Sequence, residues 1–426
     1  MKPSGISPAP APSPDSRPFA ASASKVALVE TGAGAWQLQR NGEPYTIRGA
    51  GGNNHLEILQ RSGGNTLRTW GVDQLENSTE GTTLLDRCAK LGVNVMLGLW
   101  ITHQRHGADY GDPIFLQQQR DRIRASVRAY RDHPALLIWG LGNEMEGDGK
   151  DPRIWQELEV LAQIVKEEDP HHPVCTVVAG TDDEKIRRMM EHYTSLDLLG
   201  VNIYGGAEQV DQRLADQGWS RPYLLTEFGP MGHWEVEMTN WGAPIEPISV
   251  DKVSAYAEAH RAQFERGRGL CLGTFCFIWG HKQETTGTWF GMFLKTGEKT
   301  PMVDAMHRIW TGVEPAHRSP MITGLRSSLR EQEAVAGSVH EVDVIYNHLD
   351  GGPLDIEWQV ISETHDRRSG GDAEETPPMI PGCIIDAEGD RARIQLPDAS
   401  GPYRVFVFLR DQHGGGSAAN FPFYVA

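Results

Sequence analysis

The sequence predicts an α/β chain: a (β/α)8 barrel followed by a small C-terminal antiparallel β-sandwich of immunoglobulin-like type. Three observations lead there. Between about residues 25 and 315, short apolar runs alternate with helical patterns, which is the signature of a parallel sheet wrapped by helices. Two of those runs, residues 136–144 and 223–227, end on a glutamate. Beyond Pro315 the pattern changes to period-two alternation broken by Gly, Pro and Asp, as antiparallel strands require.

Residues 1–24 form a Pro/Ala/Ser-rich tract expected to be disordered, and it contains no apolar core of a signal peptide. Its composition leans toward a periplasmic or secreted protein. Residues 35–49 read as a hairpin about an Asn41-Gly42 turn running into the first barrel strand. The small polar loop after it, residues 51–55, is a candidate lining of the mouth, with Asn54 as a candidate substrate contact. Strand two is residues 66–70, with Arg68 at its tip, and a helix carrying Leu84, Leu85, Cys88 and Leu91 on one side stops at Gly92. Strand three, residues 93–100, ends on Trp100, and His103 and His106 follow in its loop.

A helix over residues 115–131 leads to strand four, residues 136–144. This run is apolar on both faces, so its polar residues, Asn143 and Glu144, fall at the C-terminal tip. A helix over residues 154–168 precedes strand five, residues 174–178. Strand six, residues 198–204, carries Asn202 and Tyr204. Strand seven carries Glu227, a helix spans residues 254–266, and strand eight, residues 273–279, ends on Trp279. The last helix closes near Trp310. In the accessory domain, residues 316–426, strands are expected at 341–346, 354–358, 391–396 and 403–409.

Composition narrows the function. A chain of 426 residues suits a barrel plus a smaller module. A formal charge of −17 argues against nucleic acid, which needs a basic face, whereas a neutral sugar polymer is indifferent to that sign. No run of about 18 apolar residues predicts a membrane span. The five cysteines are scattered without disulfide or zinc-ligand spacing and read as small core residues. His55, His103, His106 and His233 fall in mouth loops but match no ligand signature, so neither a metal nor a cofactor is expected. The oligomeric state is not readable.

Strand tips at one end of such a barrel are where its catalytic residues sit. Two carboxylates facing one cleft are the equipment for cleaving an acetal: one delivers a proton to the leaving oxygen, the other places negative charge under the reacting carbon. Glu227 is assigned as the ionised member, with Arg68 as its cation. Glu144 is assigned as the acid, kept protonated by desolvation and by the like charge of Glu227. Asn143 is placed to bond the hydroxyl beside the reacting carbon, Tyr204 to hold Glu227, and Trp279 to offer a flat apolar face to a sugar ring. Asn202, His103, Trp100 and Asn54 complete the candidate substrate-binding set. Trp70, Trp100, Trp234, Trp241 and Trp289 are candidate sugar platforms, though each by itself reads first as a packing residue, and Glu146, Asp148, Glu235 and Glu237 read as solvated loop charges.

The set Arg68, Asn143-Glu144, Asn202-Ile203-Tyr204, Glu227 in Thr226-Glu227-Phe228-Gly229, and Trp279 resembles the clan A retaining (β/α)8 glycoside hydrolases. It is most similar to their family 2 and family 5 catalytic domains, through residues 41–49 and 139–144. The resemblance covers residues 35–312. It implies acid/base Glu144, nucleophile Glu227 and retention by double displacement on an oligo- or polysaccharide, with a β-glucan-like substrate expected. The chain departs from family 2 in carrying its small β-domain after the barrel. Two alternatives share these residues: a β-glycan transglycosylase, and a carbohydrate-binding protein without turnover.

Overall fold

The computed structural model describes residues 23–32, 34–75, 82–368 and 370–426. The expected disordered tract therefore lies outside the described residues up to residue 22. Its last member, Ser24, is fixed: the hydroxyl donates to the Leu136 carbonyl at 2.6 Å and meets His172 at 2.9 Å. Order thus begins before the expected boundary.

Three short antiparallel strands come first, β1 (Val26–Gly32), β2 (Ala35–Arg40) and β3 (Glu43–Pro44). The β2–β3 turn is the expected one, with Asn41 and Gly42 at φ 54° and 87°. β1 adds an unexpected strand. Its Val26 joins Leu38 in packing on Ile47, Leu137 and Cys175, which seals the N-terminal end of the barrel.

The barrel then follows as β4 (Ile47–Gly51), α1 (Leu56–Arg61), β5 (Thr66–Arg68), α2 (Leu84–Leu91), β6 (Asn94–Leu99), α3 (Pro113–Tyr130), β7 (Leu136–Asn143) and α4 (Pro152–Glu168). It continues with β8 (Val174–Ala179), α5 (Asp183–His192), β9 (Leu198–Asn202), α6 (Val210–Asp216), β10 (Tyr223–Phe228), α7 (Ser249–Phe264), β11 (Cys271–Cys276) and α8 (Pro301–Thr311). The eight strands close in chain order, with β11 beside β4. Helix starts carry local signals: Thr83 and Asp86 form a capping box on α2, and Asp112 and Asp151 cap α3 and α4 just ahead of a proline. α1, α5 and α6, which the sequence reading did not assign, bury only two or three side chains each and so present few apolar positions to read. Cys88, Cys175, Cys271, Cys276 and Cys383 are all buried and unpaired, as expected of small core residues.

The C-terminal part is two four-stranded sheets. One runs β12 (Met321–Arg326), β14 (Val339–Asn347), β17 (Arg391–Gln395), β16 (Ile384–Glu388); the other runs β13 (Glu333–Ala334), β19 (Gly416–Val425), β18 (Gly401–Arg410), β15 (Asp355–Ser362). Ile322, Val342, Trp358, Val405, Phe421 and Phe423 fill the space between them. β19 escaped period-two reading because it is buried on both faces.

Barrel and sandwich meet around a buried ion pair. Lys252 on α7 donates to Glu246 at 2.6 Å, and Asn420 on β19 donates to the other Glu246 oxygen at 2.6 Å. Burial by itself raises the Glu246 pKa, but Lys252 and these hydrogen bonds offset that and hold it below the usual range. Lys252→Met is expected to destabilise the protein by about 3–5 kcal/mol, because Glu246 is left buried without its counter-charge. Urea unfolding of both proteins checks this. A loss within about 1 kcal/mol would show that the pair contributes little to the junction.

Candidate active site

The site is assembled at the C-terminal ends of β5, β7, β9 and β10. Strand pairing sets Glu227 beside Asn202, and Arg68 ends β5 pointing into the barrel, 1% exposed. A cation buried this deeply must be fully paired. Arg68 Nη1 donates to Glu227 Oε1 at 2.9 Å and to the Thr226 carbonyl at 2.7 Å, while Nη2 donates to Asn143 Oδ1 at 2.6 Å. Thr226 donates to Asn202 Oδ1 at 2.8 Å, which orients that amide. Asn202 Nδ2 then donates to Asn143 Oδ1 at 3.0 Å and to Glu144 Oε1 at 2.6 Å.

The two glutamates sit in unlike surroundings. Glu227 receives three donors: Arg68, the Trp70 indole N–H at 2.9 Å on Oε1, and the Tyr204 hydroxyl at 2.9 Å on Oε2. Burial first, then the charge of Glu227, pushes the Tyr204 pKa well above its ordinary value, so this hydroxyl remains a donor. Glu144 has one side-chain donor, Asn202. Desolvation first, and then the negative charge of Glu227, raise Glu144 to about 7. The turn out of β7 is tight: Gly142 and Glu144 stand at φ 76° and 50°, and a Cβ on Gly142 would come within 2.5 Å of the Met145 sulfur. Holding a glutamate in the left-handed region costs free energy, and such strain concentrates at functional positions.

A cavity of about 750 Å³ opens over these residues, its wall including Trp70, Glu144, Asn202, Tyr204 and Glu227. The structure thus brings Arg68, Asn143, Glu144, Asn202, Tyr204 and Glu227 together. Of the other candidates, His103 lies against the Asn143 backbone behind the cavity wall, while Trp279, Trp100 and Asn54 stand apart from the cluster. Trp279 is 0% exposed, its indole donating to the His55 carbonyl and its ring packed on Phe293 and Trp310, so it offers no face to a sugar. The reason is register: β11 ends at Cys276, and Phe277 and Ile278 line the cavity instead. His103 is buried beneath Trp100, with ring centroids 4.9 Å apart, and it bonds Arg105. Burial first, then Arg105, lowers the His103 pKa to about 4. Trp100, His103 and the exposed Asn54 all stand outside the cavity wall.

Four wall residues lie outside the substrate-binding set assigned from the sequence. Trp70 lies two positions beyond Arg68, and that spacing on a strand pointed to the same face. Trp234, 54% exposed and edge-on to Tyr204, is the aromatic ring at the rim. Glu235 is no free loop charge, since it lines the cavity and accepts the Gly205 and Gly232 backbone N–H groups at 2.9 and 2.7 Å. Glu284 lines it too, paired with Lys282 at 2.6 Å. Glu146, also read as solvated, is buried on Lys185 at 2.9 Å. Among the described residues, no group of three His, Cys, Asp or Glu side chains is placed to hold a metal ion, and no helix is long and apolar enough to cross a membrane.

Glutamates at the ends of the fourth and seventh strands of a closed (β/α)8 barrel, one gripped by donors and one raised toward neutral pKa, give the arrangement of the clan A glycoside hydrolase barrels, which this chain resembles. Residues 75–239 match the family described as glycosyl hydrolases family 2, TIM barrel domain, so over that stretch the chain is similar to family 2. It is 22% identical over 207 residues to a β-galactosidase of Oenococcus oeni, covering 45% of this chain and 19% of that protein. A β-galactosidase of Klebsiella pneumoniae is likewise 22% identical over 220 residues, at 45% and 19% coverage. Among solved structures, a calcium-binding mutant of Bacteroides uniformis β-glucuronidase 2 superposes with TM-score 0.51 at 15% identity, over 92% of this chain and 47% of that one. A family 2 β-galacturonidase from Eisenbergiella tayi bound to galacturonate does so with TM-score 0.52 at 18% identity, over 68% and 54%. The chain therefore spans about a fifth of the length of these curated relatives and about half that of the solved structures.

Proposed function

We propose that this chain is a retaining β-glycoside hydrolase that cleaves an oligo- or polysaccharide by double displacement. The single observation behind this reading is the asymmetry of the two glutamates across one cavity. Glu227, held by Arg68, Trp70 and Tyr204, is the nucleophile, forming the glycosyl-enzyme. Glu144, raised to about 7, is the acid that protonates the leaving oxygen and then the base that activates water. Asn202 occupies Glu144 Oε1, so the proton is carried on Oε2. Asn143 Oδ1 is taken by Arg68 and Asn202, which leaves its N–H groups to bond the sugar hydroxyl beside the reacting carbon. Trp234 takes the platform role first expected of Trp279. In this reading the barrel, residues 25–315, is the catalytic domain and residues 316–426 the accessory one.

The sugar is proposed as β-glucan-like, and the relatives' names supply the competitors. Turnover of 4-nitrophenyl β-glucoside, β-galactoside, β-glucuronide and β-galacturonide, alongside β-glucan, decides among them. NMR of the first-formed product tests the stereochemistry: a β-anomer supports double displacement, an α-anomer rules it out.

The raised Glu144 pKa sets a pH dependence. The acid is protonated below about pH 7, so kcat is expected to fall about tenfold per unit as pH rises beyond it. Linkage has the same sign. A carboxyl titrating higher in the folded state than in the unfolded one costs stability as pH rises from its ordinary range toward 7. A rate flat from pH 6 to 9 would refute the assignment.

A further inference from the structure

The cavity wall is not supplied by the barrel alone. Arg367, Arg368, Gly370 and Gly371, which belong to the segment between β15 and β16, also line it. This segment leaves the sandwich at Ser362, whose N–H donates to the Pro378 carbonyl at 3.2 Å, and rejoins it where Ile361 pairs with Met379. Its ends are thus close together, as in a compact surface loop.

Residues 363–368 and 370–376 are pinned to the barrel on both sides of its mouth. On one side, Glu374 accepts the Thr285 N–H at 2.6 Å and Arg367 donates to the Gly242 carbonyl at 2.8 Å, in the loops after β11 and β10. On the other, Asp372 meets Arg105 at 3.5 Å and His106 at 3.0 Å, in the loop after β6. In the closed order β10-β11-β4-β5-β6-β7-β8-β9, β6 stands opposite β10. The segment therefore crosses the mouth. Its turn depends on glycine: Gly370 and Gly371 sit at φ 66° and 72°, and a Cβ on Gly370 would come within 2.5 Å of the Arg105 guanidinium. The crossing also explains why Trp100 and His103 stand outside the cavity, since their loop is the landing of the strap.

We propose that this strap is part of the substrate site, with Arg367 and Arg368 binding the sugar. The proposal rests on the glycosidase reading above. Arg367 gives Nη1 to the Gly242 carbonyl at 2.8 Å and Nη2 to Glu363 at 3.3 Å, which leaves one N–H on each, whereas among the described residues Arg368 gives only Nε, to Asp366 at 2.8 Å, so both of its terminal nitrogens remain for acceptor oxygens of a sugar. The pocket is electrically mixed, because Glu235 and the Lys282–Glu284 pair share the wall, which suits a hydroxyl-rich ligand.

The test uses the full chain. With the fastest of the four 4-nitrophenyl glycosides, Arg367→Ala and Arg368→Ala are each expected to raise KM about tenfold and leave kcat within about threefold, as for a contact made equally in ground and transition states. Arg368→Lys should recover part of the loss. An unchanged KM in both arginine variants overturns the proposal. A second arm needs no turnover: amide exchange is followed with lactose, cellobiose, D-glucuronate and D-galacturonate. A saccharide that slows exchange at residues 202–204 and 227–228 should also slow it at 370–376. One that protects the strand tips but not the strap, or no protection by any of the four, overturns it. If Glu144 and Glu227 variants retain full turnover, the catalytic assignment fails while the exchange arm still reports on the strap.

Discussion

Glu227→Ala is expected to lower kcat on a 4-nitrophenyl β-glycoside by roughly 10⁴–10⁶-fold, the scale of losing a covalent nucleophile. Activating the leaving group does not help, because the missing group is the one that bonds the anomeric carbon. The substitution has a second consequence. Arg68 Nη1 loses its carboxylate, and a guanidinium 1% exposed is left with the Thr226 carbonyl and the Asn143 and Asn202 amides. A stability loss of about 3–5 kcal/mol is expected beside the kinetic one. The two effects must be separated, so folding is checked by circular dichroism and turnover by adding azide. An anion occupying the vacated space attacks the face opposite the leaving group. It should restore turnover and yield the α-glycosyl azide. Turnover within tenfold of the unmodified protein, with no azide dependence, would remove Glu227 from the mechanism.

Glu144→Ala is expected to behave differently. General acid catalysis is worth about 10²–10⁴-fold where the leaving group needs a proton, so hydrolysis of a β-linked oligosaccharide should fall by that factor. Formation of the glycosyl-enzyme from an activated aryl glycoside should fall far less, since nitrophenolate departs unaided. Its breakdown still lacks a base, and azide should relieve that step from the other face, giving the β-glycosyl azide. The alkaline limb near pH 7 should vanish with the side chain that causes it. Equal losses on both kinds of substrate would reassign Glu144 to a structural role. The opposite azide stereochemistry of the two variants is the sharpest check, because it depends only on which face each carboxylate occupies.

The amino-acid sequence by itself determined the parts of this protein that obey a period. Eight apolar runs between helical stripes prescribed the barrel, and the polar residues at the ends of strands two, four, six and seven prescribed the cluster Arg68, Asn143, Glu144, Asn202, Tyr204 and Glu227. These are legible because a strand buried on both faces can place polar groups only at its tips. Only the tertiary structure decided what surrounds that cluster. Trp279 was misjudged because β11 stops at Cys276, and a short difference in where a strand ends moves a ring from the mouth into the core. Trp100 and His103 were placed at an open mouth, and Arg367 and Arg368 passed over, for one reason. The strap comes from residues far along the chain, and no local pattern reports that a loop of one module will lie across the mouth of another. Local periodicity is written in the chain, whereas a wall made by long-range docking depends on complementary surfaces that exist only once both modules have folded.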